Sequence, residues 1–565
     1  MQSGPHEKHL PVETSSGRTG APPRPRHLAI TPVVLGVVFG SCLSALNVIL
    51  AFKVGTGFGG AIVTVLLGGA ALRLLRKLNW RTLFLTYAIA SGGTLAVTAI
   101  DTSIGAGLLG GAPPPSWMFL IGAGLLANLL GLLLGIALAP SIINDHSLKY
   151  PALWPVIDLM HALTGSGERE AGIKEQRLIL VGAVVAAGLS FAAALVGRDS
   201  LPLAPGVSPY LALSLSPMLF GLGMRISGSA TVWIGVGAVY SLIVWSANVL
   251  WGSPQPGAAY IEHLGSPWIL AVGVGLLLGY ACGFLAKLVG GKRSVVTGAI
   301  RGRSARWRVT AAGGAAVMAG CVVALSRWLP LTYLMTALIF AVLAPLFAVL
   351  MNRVNAAIGI APTGVFQYLT LVILALLHVP AGSAYLLIGL ICCSALASAY
   401  FIEAAKVAST APAPDAPRTH QLFTYQVIGS VAGVGTGITL LFLVSELGNI
   451  GTAAFPAPTS TALDFLNSLL RGSQDYAQST TVFLAAAGLA GMALAWSPAL
   501  PTMLGLGVLL PAATSIAILL GSVTKMATQR HRRDQGAFAS TLGSGLILGG
   551  GIANALLLPI QVLTS

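Results

Sequence analysis

Six acidic residues lie within or at the borders of long apolar runs: Asp101, Asp158, Glu262, Glu403, Glu446 and Asp464. An ionisable group at mid-membrane costs about 2.5 to 3.5 kcal/mol on insertion scales, so each one needs a partner, a water-filled cavity or a task. A carboxylate held away from water is disfavoured in its ionised form, the property a group needs to load and release a proton. Asp101, Glu403 and Asp158 are therefore the candidates for proton coupling. Each has a structural alternative. Asp101 closes the apolar run that begins at Ala88, where lipid headgroups would also accommodate it. Glu403 and Lys406 are one turn apart, a spacing that lets them neutralise each other. Asp158 shares a helical face with His161, and this pair supplies too few ligands for a metal.

Lys53 stands in Leu50-Ala-Phe-Lys-Val-Gly-Thr-Gly-Phe-Gly-Gly60, where an apolar helix gives way to a glycine-rich break. In the opposite half of the chain, Gly359, Pro362 and Gly364 interrupt Ala357 to Tyr368. Paired interruptions point to a midplane site, because broken helices expose backbone groups and helix ends to a cavity. A snorkelling lysine and a simple proline kink are the bland alternatives. The glycine run lacks the Gly-Lys-Ser/Thr ending of a phosphate loop. The nine histidines are scattered, with no His-Glu-x-x-His and no Gly-x-Ser-x-Gly elbow, which disfavours an intramembrane enzyme. The five cysteines fall inside apolar runs and form no ligand pattern, so neither a resident metal nor another cofactor is expected.

The elements that position these residues are membrane helices. Of 565 residues, 55% are hydrophobic and 8% charged, against about 25% charged in soluble domains. Apolar runs of about 17 to 25 residues recur from Leu28 onward, each long enough to cross about 30 Å of hydrocarbon. Uninterrupted runs such as Leu331 to Met351 exclude the alternating pattern of a barrel. The expected fold is all-α and polytopic, with about sixteen crossings, among them 29–52, 58–75, 83–105, 117–140, 361–379, 382–404 and 420–446. Pro456 to Leu470 is too polar to span alone and suits a short or re-entrant helix shielded by protein. The net charge of +15 sits in short clusters between apolar runs, as the positive-inside rule expects of cytoplasmic loops, so nucleic-acid binding is disfavoured. Residues 1–27 read as a disordered polar cytoplasmic tail. The membrane domain then runs from 28 to 565, with halves of about 28–290 and 308–565 joined by a basic cytoplasmic loop, 291–307.

At the breaks the chain resembles the oligopeptide transporter superfamily, including its yellow stripe-like branch, and looks like a bacterial-type member. Asn47 to Ile62 is similar to a family run ending in Gly-Leu-Lys-Thr-Gly, with Lys53 on the lysine and Gly55 on the last glycine. Ala90-Ser-Gly-Gly-Thr94, Leu148-Lys-Tyr150-Pro151, Gly359-Ile-Ala-Pro362 followed by Gln367, Lys406, Pro417-Arg418 and Gln426-Val-Ile-Gly429 match further family elements in order. Leu500-Pro501, Leu510-Pro511 and Gly545-Leu-Ile-Leu-Gly549 resemble its last two helices. Ala152, Ala361 and Gly550 depart from the family's usual serine, asparagine and glutamate. The resemblance implies about sixteen helices in related repeats with broken or re-entrant segments. It also implies proton-coupled uptake of small oligopeptides or peptide-like metal chelates across the inner (cytoplasmic) membrane, with the N-terminus inside. Lys53, Gly55, Tyr150, Pro151, Gly359, Pro362, Thr363, Gln367, Lys406 and Gln426 would then bind substrate, and Asp101 or Glu403 would take the proton. A passive channel and a non-transporting scaffold derived from the family are the alternatives; a homo-oligomer is left open.

Overall fold

Backbone N–H and C=O groups in hydrocarbon find no water, so spanning segments pair them internally as helices. The computed structural model follows that constraint. It describes residues 30–564 apart from 56, 58, 146–147, 149, 151–152, 165–168, 197–199, 203–211, 227, 252–265, 291–312, 315, 318, 321, 324–325, 327–330, 359–360, 362, 411–418, 448–449, 453–454, 473–477, 497–500, 511 and 532–534. The expected tail, 1–27, and the expected basic loop, 291–307, lie outside the described residues.

The described helices are α1 (Ile30–Val54), α2 (Ala61–Leu74), α3 (Trp80–Thr94), α4 (Thr98–Leu109), α5 (Trp117–Ile143), α6 (Trp154–Thr164), α7 (Arg169–Val196), α8 (Pro217–Arg225), α9 (Gly228–Trp251), α10 (Pro267–Gly290), α11 (Tyr333–Ile358), α12 (Thr363–Leu376), α13 (Ala381–Ser409), α14 (Thr419–Glu446), α15 (Pro458–Arg471), α16 (Gln478–Leu494), α17 (Pro501–Leu509), α18 (Ala512–His531) and α19 (Gln535–Thr564). One antiparallel hairpin, β1 (Ser200–Pro202) with β2 (Ala212–Ser214), lies between α7 and α8. The protein is an all-α integral membrane protein. Among the described residues, seven helical stretches are long and apolar enough to cross a bilayer, one of them α3 and α4 taken together.

Several apolar runs fold as something shorter than a span. The runs at 58–75 and 361–379 contain the 14-residue helices α2 and α12. The run at 83–105 is not one helix: it breaks over residues 95–97 into α3 and α4. The polar segment after Pro456 is helical as α15, with Thr459, Ser460, Asn467 and Ser468 buried inside the protein. Two of the apolar stretches are almost fully enclosed. Over their most apolar windows, Trp80–Leu109 is 100% buried and α13 94%, whereas α1, α5, α11 and α14 leave about half of theirs to lipid.

One succession of elements occurs twice. A long helix, a break, a 14-residue helix and a tight turn are seen in α1–α2 and again in α11–α12. After α2 the N–H groups of Leu75, Arg76 and Lys77 bond the carbonyls of Ala71, Arg73 and Leu72; after α12 those of Leu377, His378 and Val379 bond Ile373, Ala375 and Leu374. Both turns put a residue with a side chain, Arg76 and His378, in the left-handed region at φ 56°. Such a conformation costs roughly 1 to 2 kcal/mol, and the carbonyls satisfied at the helix end offset it. Pro217-Met-Leu-Phe-Gly221-Leu-Gly223 in α8 has a counterpart in Pro501-Thr-Met-Leu-Gly505-Leu-Gly507 in α17. The two copies exchange partners: α8 packs on α18 and α17 on α9, while α7 packs on α19 and α16 on α10.

Small residues permit these contacts, because lipid supplies little hydrophobic drive and close backbone approach must hold the helices together. The Ser-Gly-Gly stretch of α3 is such a contact. A Cβ on Gly92 would lie 2.9 Å from the Cα of Gln426, and one on Gly433 would overlap the backbone of Gly93. Gly435, two residues on, meets nothing within 4 Å. Gly550 lies at another close contact, since a Cβ built there would sit 3.0 Å from the Met218 Cβ and 3.1 Å from its backbone nitrogen, so a side chain there requires α8 to give way. Gly433→Ala is expected to lower thermal stability by about 1 to 3 kcal/mol through overpacking. Gly435→Ala should be neutral or stabilising by up to about 1 kcal/mol through helix propensity. Melting the purified variants side by side checks the contrast.

Candidate functional site

The break between α3 and α4 lies inside the most enclosed helix of the protein, so its unpaired carbonyls must be met by side chains. Asn47 donates its Nδ2 to the Thr94 carbonyl at 2.7 Å. Asn128 donates to the carbonyls of Ala96 and Gly124, each at 2.9 Å, and Cys393 donates its thiol to Ala96 at 2.9 Å. The first turn of α4 is held by Gln367, whose Nε2 reaches the Ala99 carbonyl at 3.0 Å, Thr102 Oγ1 at 2.7 Å and Ser103 Oγ at 3.0 Å. Ser460 donates to the Thr102 carbonyl at 2.8 Å. Side chains from α1, α5, α12, α13 and α15 thus hold one interrupted helix.

The glycine-rich break after α1 meets this interruption. The Thr459 hydroxyl donates to the Gly55 carbonyl at 3.0 Å, and the Ala457 N–H donates to the Phe52 carbonyl at 2.7 Å. A Cβ on Gly57 would sit 2.7 Å from Leu95 and 3.3 Å from Thr98, and one on Gly59 3.7 Å from the Tyr400 hydroxyl. Gly60 before α2 and Ala457 before α15 both adopt left-handed backbone, which turns the chain sharply into each helix. The N-terminal ends of α2, α4 and α15 therefore gather around residues 55–60. Helix N-termini carry partial positive charge, so this region favours an anionic group such as a carboxylate.

Polar groups continue along α13. At one end the Tyr385 hydroxyl donates to Asp464 Oδ1 at 3.0 Å. Further along, Gln426 donates to Ser91 Oγ at 3.0 Å and to the Tyr400 carbonyl at 3.4 Å. Ser91, Asn128, Tyr400 and Gln426 border a cavity with room for roughly one water molecule. At the far end Asn355 donates to Glu403 Oε1 at 2.6 Å, and Tyr87, Tyr150 and Tyr400 lie within electrostatic reach of that carboxylate. Lys406 Nζ sits 5.2 Å from the centre of the Tyr150 ring and donates to the Ile143 carbonyl at 3.4 Å. At about 1.5 Å rise per residue, Tyr385 to Glu403 spans about 27 Å, close to the thickness of a bilayer's hydrocarbon.

The expected site residues have different fates. Gln367, Gln426 and Glu403 are all on this polar seam, Asp101 is on α4, and Thr363 opens α12 with its N–H bonded to the Ala361 carbonyl at 2.9 Å. Lys53 is half-buried in the last turn of α1, with Nζ 5.2 Å from the Phe455 ring centre. Glu403 and Lys406 do not neutralise each other: a buried amide takes the first and an aromatic face the second. Tyr150 is buried at φ 47°, its N–H bonded to Ala356 at 2.8 Å, so it braces the end of α11. Pro151, Gly359 and Pro362 lie outside the described residues, as do Glu262 and the side chain of Asp158. Glu446 is exposed at the end of α14.

A search for charges overlooks Asn47, Asn128, Asn352 and Asn355. Asn352 bonds Ser398 Oγ at 2.6 Å, beside the Asn355 to Glu403 contact on the same pair of helices. Their signal in the sequence is an amide in an apolar run, since such groups seek partners across helices.

A family model described as OPT oligopeptide transporter protein matches residues 28–310 and 300–558 of the chain. No curated protein matches it significantly.

Gln367→Leu leaves the Thr102 and Ser103 hydroxyls and the Ala99 carbonyl without their shared donor. Leaving buried acceptors unpaired costs about 1 to 3 kcal/mol, so a lower melting temperature is expected in detergent or nanodiscs. An unchanged melting curve would show that α4 does not depend on this anchor.

Proposed function

The chain belongs to the oligopeptide transporter family, and on that premise we propose that it is a secondary active transporter. It takes up small oligopeptides, or peptide-like metal chelates, across the cytoplasmic membrane together with protons. The observation that carries this reading is the gathering of the α2, α4 and α15 N-termini around the break at 55–60, inside the most enclosed part of the protein. A peptide's C-terminal carboxylate suits those positive helix ends, and Lys53 at the end of α1 adds a charge of the same sign. Tyr150, Thr363, Gln367 and Gln426 contribute hydrogen-bonding groups, and Lys406 lies at the far end of the seam.

The coupling proton belongs on Glu403 in preference to Asp101. Glu403 accepts from the Asn355 amide, which can also present its oxygen to a protonated carboxyl, and the phenols of Tyr87 and Tyr400 lie within electrostatic reach. The cavity beside Tyr400 and Gln426 is too small for a peptide, so loading requires helices to separate there. Movement of one copy of the repeated elements, about 28–290, against the other, about 308–565, would supply it, as alternating access does in repeat-built carriers. The basic residues Arg73, Arg76, Lys77 and Arg81 cluster about the α2–α3 turn. By the positive-inside rule they support a cytoplasmic side for that turn and for the start of α1, where Lys77 donates to the Thr31 hydroxyl at 2.8 Å.

Reconstituted in proteoliposomes, the protein should accumulate a short peptide when the interior is alkaline. Each pH unit of gradient is worth about 1.4 kcal/mol per proton, hence about tenfold accumulation. Dissipating the gradient with an ionophore should abolish accumulation. Unchanged accumulation would remove the coupling, and mere equilibration would make the protein a passive channel. Glu403→Gln should abolish gradient-driven accumulation while keeping exchange of labelled for unlabelled peptide.

A further inference from the structure

The first turn of α4 contains two buried oxygens that the structure leaves without a partner: Asp101 Oδ2 and Thr98 Oγ1. Asp101 is 0% exposed, and its other oxygen accepts the Thr102 N–H at 2.6 Å. Thr98 is 8% exposed. Residues three apart on a helix share a face, so the two groups are neighbours. The nearby threonines behave in the ordinary way: Thr94 returns its hydroxyl to the Ala90 carbonyl at 2.7 Å and Thr102 to the Thr98 carbonyl at 3.1 Å. Thr98 does neither. No cationic side chain among the described residues acts on Asp101; burial and backbone N–H groups alone govern it. A buried carboxylate with no countercharge is costly, and an unfilled hydroxyl beside it adds to that cost.

A proton on Asp101 would supply one bond, from Oδ2–H to the neighbouring Thr98 hydroxyl, and is the occupant with which a cation competes. What the pair lacks is something that bonds to oxygen lone pairs and carries positive charge. A divalent ion calls for more carboxylates than this turn provides. A monovalent hard cation needs one carboxylate, hydroxyls and backbone carbonyls, and the C-terminal end of α3, with its partial negative charge, finishes at this break.

We propose that Asp101 and Thr98 form a binding site for an alkali-metal cation at the α3–α4 break, separate from the proton carried by Glu403. The site stands without the peptide reading, since the ion binds in the absence of substrate. Its occupancy would neutralise the one carboxylate closest to the gathered helix N-termini and stiffen the first turn of α4.

The test uses the full chain in nanodiscs, without peptide, in choline chloride at constant ionic strength. Sodium, potassium or lithium chloride then replaces the choline, and melting and radioactive sodium binding are followed. A saturable rise in melting temperature is expected, with a single ion bound per chain. Asp101→Asn should abolish both. Thr98→Val should weaken binding about tenfold, the loss of one neutral oxygen ligand. The proposal is overturned if no ion shifts the melting curve. It also falls if Asp101→Asn keeps the full shift, or if Thr98→Val raises stability and leaves the ion response untouched. Should Asp101→Asn fail to fold, Thr98→Val decides alone. Sodium-independent peptide accumulation with no ion binding removes this site and leaves the transporter standing; ion binding with no peptide transport does the reverse.

Discussion

A helix interrupted in the middle of a hydrophobic protein leaves carbonyl and N–H groups that neither lipid nor water can satisfy, and the α3–α4 break creates this situation in the most enclosed segment of the chain. Asn47, Asn128, Cys393, Gln367 and Ser460 all reach the segment around it. They come from five other helices, so the interruption holds those helices in register as much as they hold it. The seam of polar groups along α13 depends on that arrangement, because α13 is the other almost fully buried helix and lies directly against α4, with a Cβ on Gly389 only 3.0 Å from the Ile100 Cα.

Close packing leaves room for no more than about one water molecule beside the break. Gly92 and Gly93 of α3 and Gly429 and Gly433 of α14 bring two backbones together where any side chain would hold them apart. The same device appears in the paired Gly-Leu-Gly stretches of α8 and α17, each set against a helix of the other copy. Packing that exchanges partners between copies makes each copy a support for the other, while α2 and α15, 14 residues each, start at left-handed turns.

The charges divide along this frame. Lys53 and the helix N-termini put positive potential near Asp101, in the first turn of α4, whereas Asp464 and Glu403 lie toward the two ends of α13. Carboxylates at such spacing, each with a different escort (a phenol, a backbone N–H, an amide), provide stations of unlike character across the thickness of the protein.

Composition alone determined that this is a membrane protein of helices, since 8% charged residues cannot cover a soluble surface. The ordered motifs from Asn47 to Gly549 pointed to the family that the family model then matched. Glu403 and Asp101 stood out for the physical reason that ionisable groups in apolar runs need a partner, a cavity or a task, and Gln367 through the family resemblance. The sequence also marked Pro456 to Leu470 as a short shielded helix, which is α15. Tertiary structure decided the rest. It split the apparent span at 83–105, gave Glu403 to Asn355 in place of Lys406, and turned Tyr150 into a brace for α11. Hydropathy is read one residue at a time and so reports where the chain leaves water. Which carbonyls a break exposes, and which distant amide reaches them, depends on the packing of helices as far apart in the chain as Ala99 and Gln367.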